Sequence, residues 1–358
     1  MSARVLLVNS QIPFARGGAE SLVAALGAAL AERGFEVDRV ALPFSLSSRE
    51  QLVRSAMAWR MLDLAAVEGR PIDLVIATRF PSYLVRHPNK VVWLIHQLRQ
   101  VYDLAGSRYS DFDDSPRDRR AAEMVRRMDR RGLGEARRLF AISKNVAARL
   151  ERHNGLTAEA LYPPSPLAEL LAGAAAEEAA DDAVEAAPYV FTAGRLVRPK
   201  RFDLLIEALA KSGGGWTAVV AGTGPEAAAL ARLAAERGVA DRVRFAGWAA
   251  DAEVARLYRR CRAVYFAPFD EDYGYVTVEA MRAGKPVVTT ADAGGALEFV
   301  ADGVNGLVAE PSPRAVAAAL DRLAEPAGER GIAGQAVEGG GDGTRRRLGD
   351  QAVDAVGD

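Results

Sequence analysis

Glu271 and Glu279 stand eight residues apart in the stretch 269–290, with Gly274 and Tyr275 between them. Glu271 falls in an acidic loop, and Glu279 falls in the helix that the sequence predicts after Gly274. At a helical rise of about 1.5 Å per residue the carboxylates are at most roughly 12 Å apart, whereas two carboxylates that act on one bond lie about 5 to 9 Å apart. The spacing favours a grip on two parts of one elongated, hydroxyl-rich ligand, with backbone N–H groups near Gly274 and Tyr275 as further donors. A solvated acidic loop followed by an ordinary helical glutamate explains the pattern equally well.

A basic loop at 194–200 directly follows a predicted strand and precedes a helix. In doubly wound sheets, ligands bind at the carboxyl ends of strands, which is where this loop falls. Arg195 offers a forked donor and Lys200 a point charge, a combination suited to phosphate oxygens. Basic loops are also ordinary solvated surface, and both interpretations stay open.

Two features of the first half also fall at strand ends. Gly17 and Gly18 follow the first predicted strand and open a helix, so backbone can approach a ligand while the helix N-terminus attracts phosphate. A turn that needs a positive φ explains the same glycines. His96 closes the strand VVWLIH, whereas His87 and His153 have no visible partner. The histidine at this strand end is either structural or catalytic.

Three further motifs carry weaker signals. Residues 222–227 fit the dinucleotide fingerprint G-x-G-x-x-A, but they lie in the middle of a domain with Pro225 at a helix start, which favours a tight turn. The D-x-D at 111–113 lies in a long polar loop, and no metal site is predicted there. A helix around 117–138 holds nine arginines among four acidic residues, and a solvated face of mixed charge is favoured over binding to anionic lipid.

The elements that position these residues are short apolar strands alternating with amphipathic helices, which indicates parallel sheets covered on both faces. The predicted strands span 5–8, 37–42, 74–77, 91–95, 139–142, 189–193, 217–221, 243–246, 263–267, 286–290 and 307–309. The predicted helices span 20–33, 50–67, 119–131, 202–211, 225–237, 251–260, 276–283 and 315–323. The fold class is therefore α/β, with two doubly wound, Rossmann-like domains facing across a cleft.

Composition shifts divide the chain. We predict an N-terminal domain at 1–168 and a C-terminal domain at 188–326. Between them, 169–187 is acidic, Ala-rich and preceded by three prolines, so we expect a linker whose helix is solvated rather than packed. The tail at 327–358 has nine glycines and few large apolar residues, which predicts disorder.

The overall composition excludes several classes of protein. A length of 358 residues suits two domains of about 150 residues. With 46 basic and 47 acidic residues the net charge is −1, which argues against a nucleic-acid binder. A single cysteine excludes a disulfide framework and suits a reducing cytosol. The sequence shows no leader and no apolar run near 18 residues, so neither secretion nor membrane spanning is predicted.

Taken together, these stretches resemble the retaining nucleotide-sugar glycosyltransferases of family four, which have the two-domain GT-B fold. The resemblance covers roughly 5–323. Its most specific part is the glutamate pair in EDYGYVTVEAMRAGKPVV, followed by GRLVRPKRFDLLIEAL and RGGAE. The stretches VAGTGPE, VRFAGW and GGALEFVADGVNGLV occur in the family's order, and PNKVVWLIHQLRQVYDL resembles the segment that carries its active-site histidine.

The resemblance implies four catalytic residues. Arg195 and Lys200 bind the donor diphosphate, Glu271 faces the transferred sugar, and His96 sits at the edge of that sugar. It also implies six binding residues with different roles: Gly17 and Gly18 near the diphosphate and acceptor, Gly274 and Tyr275 through backbone N–H groups, Glu279 on the ribose hydroxyls, and Gly247 beside the base.

The implied activity is transfer of a hexosyl unit from a nucleotide-diphosphate sugar to a glycan or lipid-linked acceptor, in cell-surface polysaccharide assembly. The family works without a divalent metal, and no cofactor is expected besides the donor substrate. We expect a cytoplasmic enzyme, and a peripheral contact with the inner face of the membrane stays open.

Two alternatives remain. Family members end with a helix that crosses back onto the first domain, and here Gly-rich sequence replaces it, so the protein is alternatively a catalytically impaired nucleotide-sugar-binding protein. An NAD-dependent oxidoreductase rests only on the fingerprint at 222–227.

Overall fold

The structure is a computed structural model that describes residues 2–14, 17–46, 48–173 and 189–324. The described residues form two compact units, the first ending at Pro164 and the second beginning at Ser165. This boundary falls a few residues before the predicted linker. Residues 174–187 of that linker and the predicted tail at 327–358 lie outside the described residues.

The first unit alternates strands and helices. Its elements are β1 (Arg4–Gln11), α1 (Gly18–Glu32), β2 (Glu36–Pro43), α2 (Arg49–Met61), β3 (Ala66–Val67), β4 (Arg70–Pro71), β5 (Leu74–Arg79), β6 (Lys90–His96), α3 (Pro116–Gly134), β7 (Arg138–Ala141), α4 (Lys144–Asn154) and β8 (Glu159–Ala160).

Six of these strands form a parallel sheet in the order β2–β1–β5–β6–β7–β8, and β3 pairs with β4 in a separate antiparallel ribbon. Consecutive residues of β1, β5 and β6 are buried, so the sheet is covered on both faces. The chain runs from β1 to β2 on one side and later to β5 on the other. The strand order therefore reverses between β1 and β5, and this reversal is where such sheets bind ligands.

The second unit repeats the same plan. Its elements are α5 (Ala168–Gly173), β9 (Tyr189–Ala193), α6 (Phe202–Leu209), β10 (Thr217–Ala221), α7 (Ala227–Glu236), β11 (Val243–Gly247), α8 (Asp251–Arg260), β12 (Ala263–Tyr265), α9 (Tyr275–Arg282), β13 (Val287–Thr290), β14 (Gly306–Ala309) and α10 (Pro313–Ala324).

The second sheet is also parallel throughout, with the order β11–β10–β9–β12–β13–β14. Here the order reverses between β9 and β12. Two apolar clusters cover its faces, one containing α6 and α10 and the other containing α8 and α9. The predicted fold class of two Rossmann-like, parallel-sheet α/β units is confirmed.

Two local expectations differ from the structure. The helix predicted at 50–67 ends at Met61, because Leu62 has an extended backbone and the chain then forms the β3–β4 ribbon. The start of the predicted linker is packed. Leu167 and Leu171 are one helical turn apart, and both are buried in the apolar cluster that contains α8 and α9.

The fingerprint at 222–227 has a structural explanation. A Cβ on Gly222 would lie 1.9 Å from the carbonyl oxygen of Gly194, and one on Gly224 would lie 2.3 Å from that of Leu196. The two loops are also joined by a hydrogen bond from the Leu196 N–H to the Thr223 carbonyl at 2.9 Å. The glycines let one loop lie directly on the backbone of the next, as a tight turn requires.

We expect Gly222→Ala to lower the free energy of unfolding by about 3 kcal/mol, because the new Cβ overlaps a carbonyl oxygen and the residue keeps a positive φ. Urea denaturation followed by circular dichroism measures this loss. Gly213→Ala is the matched control, since a Cβ there meets nothing within 4 Å. Equal midpoints for the two variants would refute the close-packing explanation.

Candidate functional site

The carboxyl edge of the second sheet brings Lys200 and Glu271 into contact. Lys200 lies in the loop after β9 and Glu271 in the loop after β12, the two strands between which the order reverses. The Lys200 ammonium donates to Oε2 of Glu271 at 2.5 Å and lies 5.4 Å from the centroid of the Phe266 ring. The two side chains retain 24% and 13% of their exposure, so a ligand can reach both. A cation and a carboxylate thus stand side by side where such sheets bind ligands.

The neighbouring residue Arg201 holds these loops together. Its side chain is only 5% exposed. Nε donates to the carbonyl of Ala267 at 2.7 Å, and the two terminal nitrogens form a fork on the carboxylate of Asp292 at 2.9 and 2.7 Å. The loops after β9, β12 and β13 are therefore joined through one guanidinium.

The Asp292 carboxylate completes this clamp. Burial by itself would raise the pKa of Asp292, but the hydrogen bonds and positive charge of Arg201 outweigh it and hold the pKa below its ordinary value. The Thr290 hydroxyl donates to the same carboxylate at 2.9 Å. Sequence patterns do not mark Arg201, because its carbonyl and carboxylate partners lie 66 and 91 residues further along the chain.

Gly274 turns the chain into α9. Its φ of 88° is left-handed, and a Cβ would lie 2.8 Å from the Phe266 ring. The helix then begins at Tyr275, and the backbone N–H groups of its first turn have no acceptor within the helix itself. The Tyr275 hydroxyl and the Thr277 hydroxyl are buried and have no hydrogen-bond partner in the part of the chain that the structure describes.

Glu279 lies inside the unit, 7% exposed, and not in the acidic loop that holds Glu271. Its two oxygens accept hydrogen bonds from the hydroxyls of Tyr258 at 2.9 Å and Ser165 at 3.1 Å. Burial raises the pKa of Glu279 to about 7, although these two hydrogen bonds oppose the rise. Each oxygen keeps a second lone pair beyond these two bonds.

The remaining predicted residues of this unit also lie at the carboxyl edge of the sheet. Arg195 lies two residues after the end of β9 and has an exposed side chain. Gly247 ends β11 at a left-handed φ of 66°, and its carbonyl accepts from the Gly222 N–H at 2.7 Å. The residue after it, Trp248, is 78% exposed. The loops after β9, β10, β11 and β12 therefore share one edge.

In the first unit, the predicted residues lie at the edge where β1, β5 and β6 end. His96 closes β6 and pairs in register with Arg79, which closes β5. The His96 ring nitrogen Nδ1 contacts the carbonyl of Gln97 at 2.6 Å. Arg79, which the sequence analysis did not single out, donates from Nε to the carbonyl of Ser10 at 2.9 Å and from Nη2 to Glu20 at 2.6 Å.

Gly17 caps α1 and Gly18 is its first residue. The backbone of Gly17 is extended, with φ of −170°, so the interpretation as a turn that needs a positive φ is wrong at this position. A Cβ on Gly17 would make only an ordinary contact, at 3.6 Å from the Glu20 carboxylate. Backbone conformation and contacts of the described residues therefore leave room for a side chain here, and the close approach of a ligand to Gly17 stays a prediction.

A buried acid, Asp129 on α3, ties together the loops that follow β5 and β6. Its carboxylate accepts from the hydroxyl of Tyr83 at 2.9 Å, in the first loop, and from that of Tyr102 at 2.8 Å, in the second. Burial raises the pKa of Asp129 to about 7 against the opposing effect of these hydrogen bonds. The Asp129 side chain thus connects the two loops that follow the strand ends with Arg79 and His96.

The D-x-D residues serve the local fold. Asp111 accepts from Gln100 Nε2 at 3.0 Å, and Asp113 accepts from the Ser115 N–H at 2.9 Å just before α3. Within residues 2–14, 17–46, 48–173 and 189–324, no group of three or more His, Cys, Asp or Glu side chains is placed to hold a metal ion.

Two parallel-sheet units, each with charged and glycine residues at the reversal of strand order, define a GT-B type of glycosyltransferase fold. Two family models match the chain: Glycosyltransferase Family 4 over residues 16–162 and Glycosyl transferases group 1 over residues 176–336. Together they cover most of the sequence, one on each side of the crossing between units. The chain belongs to the family-4 type of glycosyltransferases, and the predicted resemblance is confirmed to that extent.

Curated relatives match over shorter stretches. The D-inositol 3-phosphate glycosyltransferase of Frankia alni is 46% identical over 96 residues, which is 26% of this chain and 23% of the relative. The lipopolysaccharide core biosynthesis glycosyltransferase LpsE of Rhizobium meliloti is 38% identical over 125 residues, 35% of each chain. The chain therefore spans about a quarter to a third of the length of these relatives.

A solved structure matches over nearly the whole length. Anabaena Alr3699/HepE, crystallised in complex with UDP and glucose, superposes with a TM-score of 0.66 at 18% identity and covers 99% of both chains. At this identity the match supports the fold alone, and it agrees with the two parallel sheets described above.

The pKa of Glu279 predicts a pH effect on stability. The folded protein keeps a proton on Glu279 up to about pH 7, whereas the unfolded chain releases it near pH 4.5, so its contribution to stability falls as the pH rises between these values. We expect Glu279→Gln to raise the thermal midpoint more at about pH 8 than at about pH 5, since the amide never carries a buried charge. Differential scanning calorimetry measures both midpoints. The exposed Glu236→Gln serves as control, and a Glu279→Gln difference as flat as that control would contradict the assignment.

Proposed function

We propose that the protein is a retaining glycosyltransferase that moves a hexosyl unit from a nucleotide-diphosphate sugar to a glycan or lipid-linked acceptor, in cell-surface polysaccharide assembly. The observation that carries the proposal is the contact of Lys200 with Glu271 at the reversal of the second sheet, beside the start of α9. A cation for a diphosphate, a carboxylate for sugar hydroxyls and the N–H groups of the first turn of α9 occur together there. The UDP and glucose bound to HepE and the lipopolysaccharide role of LpsE support this class of substrate.

The donor chemistry follows from these charges. When the bond between the anomeric carbon and the diphosphate oxygen breaks, negative charge develops on the leaving diphosphate, and Arg195 and Lys200 stabilise it. Lys200 turns from Glu271 toward the phosphate, which leaves the Glu271 carboxylate to accept hydrogen bonds from the sugar. Glu279 receives the ribose hydroxyls on its remaining lone pairs, Gly247 lies by the base, and no metal or further cofactor takes part.

Retention of configuration proceeds by attack on the face that the leaving group vacates. The acceptor oxygen forms the new bond to the anomeric carbon, and a departing phosphate oxygen takes the acceptor proton. A double displacement would need a carboxylate nucleophile at the anomeric carbon, and we assign none. His96, Gly17 and Gly18 of the first unit serve the acceptor and the transferred sugar.

A panel of UDP-, GDP- and ADP-sugars tests the proposal through nucleotide release with and without a glycan acceptor. We expect Lys200→Ala to lower kcat/KM by about a hundredfold, because it removes one preorganised charge from the leaving group. Lys211→Ala, at an exposed lysine just after α6, is the matched control. Unchanged kcat/KM in Lys200→Ala would refute the site. Nucleotide-sugar binding by calorimetry without turnover would favour the binding-protein alternative.

A peripheral membrane contact is the second part of the proposal. It is supported by α3, whose basic side chains are exposed while most of its acidic side chains are buried. Seven arginines of α3 are exposed, whereas two of its three acidic residues, Asp118 and Asp129, are buried. Three of the exposed arginines pair with exposed or half-exposed glutamates. This excess of positive charge differs from the mixed face that the sequence favoured. None of the described helices is long and apolar enough to cross a membrane.

Exposed methionines adjoin this basic surface. Glu50 of α2 and Arg117 of α3 form an ion pair at 2.7 Å. Met57 and Met124 lie seven residues, or two turns, beyond Glu50 and Arg117 on the same helix faces and are 54% and 43% exposed. Guanidiniums that bind lipid phosphates beside apolar side chains that reach the acyl boundary fit an anionic membrane surface.

We expect the double variant Arg120→Glu/Arg127→Glu to lower binding to phosphatidylglycerol-containing vesicles by about tenfold or more, at about 1 kcal/mol per basic residue. Vesicle co-sedimentation measures the partition coefficient, with pure phosphatidylcholine vesicles as the neutral reference. Arg232→Glu/Arg314→Glu makes the same charge change at exposed positions of the second unit. Equal loss in both double variants, or equal binding to neutral vesicles, would contradict a specific lipid surface on α3.

A further inference from the structure

Arg201 has a backbone conformation that its residue type does not explain. It lies between a short 3-10 turn and α6 with φ of 53° and ψ of 44°, in the left-handed region. Glycine adopts this conformation at little cost, whereas a side chain is strained there. A long basic side chain in this position needs a compensating role, and its contacts supply one.

Every nitrogen of the Arg201 guanidinium has at least one acceptor. Besides the Ala267 carbonyl and the Asp292 fork, Nη2 donates to the carbonyl of Pro268 at 2.8 Å and to the Thr290 hydroxyl at 2.7 Å. The Tyr265 hydroxyl donates to the carbonyl of Arg201 itself at 2.9 Å. A buried cation with every nitrogen bonded holds its partners in fixed geometry.

The loops that Arg201 joins are the ones that carry Lys200 and Glu271. Backbone bonds continue from the clamp toward these two residues: the Phe269 N–H donates to the Pro199 carbonyl at 2.7 Å, and the Glu271 N–H donates to the Ala293 carbonyl at 3.0 Å. Lys200 precedes Arg201 directly, and Ala293 follows Asp292 directly. Lys200 and Glu271 thus both stand on backbone that is hydrogen-bonded to the loops that Arg201 joins.

We propose that Arg201, through Asp292, is a positioning residue for the donor site: it fixes the backbone from which Lys200 and Glu271 act. This inference rests on the proposed function for its kinetic consequence. The Arg201 side chain is buried in the unit, so its loss acts through the placement of the two site residues. Displacement of a catalytic group by about 1 Å lowers a rate by about a hundredfold.

Arg201→Gly is the decisive variant, because glycine accepts the left-handed backbone while the clamp is lost. We expect kcat for the nucleotide sugar to fall by about tenfold or more in protein that remains folded. Asp292→Ala is expected to give a smaller loss, because Arg201 keeps its bonds to Ala267, Pro268 and Thr290. The double variant is expected to match Arg201→Gly, because that substitution already removes the Asp292 fork.

Arg262→Gly is the matched control. Arg262 also binds carbonyls, those of Leu323 and Ala324, but it precedes β12 and so lies at the opposite edge of the same sheet. We expect this variant to lose stability and to keep the wild-type kcat per folded molecule. A fall in kcat equal to that of Arg201→Gly would show that Arg201 contributes only to the fold.

A second readout does not need turnover. We expect Lys200 to be acylated by an amine-reactive ester at least about threefold faster in Arg201→Gly than in the wild type, while Lys211 keeps its rate, because local opening exposes Lys200. Mass spectrometry of tryptic peptides measures both rates. If the wild type turns over none of the nucleotide sugars, the proposed function fails, and the labelling still decides the positioning role. Unchanged labelling of Lys200 overturns the inference.

Discussion

The chemistry of this protein depends on one constraint: a parallel sheet sends every loop that follows a strand to the same edge. In each unit the first strand has its successor on one side and a later strand on the other, so two loops diverge there and leave room between them. In the second unit these loops carry Lys200 and Glu271, and their side chains meet. In the first unit, Gly17 lies in the loop after β1 and Arg79 closes β5. The strand order thus decides which residues, distant in sequence, become neighbours.

Local sequence could predict the residues at these edges, because each has a signature within a few positions. A basic loop after a strand marked Arg195 and Lys200, and a glycine before a helix marked Gly274. The contact between Lys200 and Glu271 required the strand order as well. The resemblance to a known family supplied their grouping, since spacing alone left a solvated loop equally acceptable.

Other features could not be read from the sequence, because their causes lie in tertiary contacts. A lysine and an arginine at 200 and 201 look alike in a basic loop, yet Lys200 is partly exposed and Arg201 is buried on partners far along the chain. The acidic residues of α3 look like part of a mixed surface until burial removes Asp118 and Asp129 from it. The helix predicted at 50–67 was too long for a local reason: the backbone of Leu62 is extended and leads into the β3–β4 ribbon.

The hydrogen bond from Ser165 to Glu279 determines where a fragment that contains the whole second unit has to begin. The sheet of that unit begins only at β9, and sequence composition places the domain start near the same point. Ser165, Leu167 and Leu171 nevertheless belong to it, one as a hydroxyl donor to a buried carboxylate and two as part of an apolar cluster. A fragment that began at residue 188 would leave Glu279 with a single donor and expose the faces of α8 and α9. An independently folding half of this protein therefore has to start upstream of Ser165, with the prolines of the crossing as its first residues.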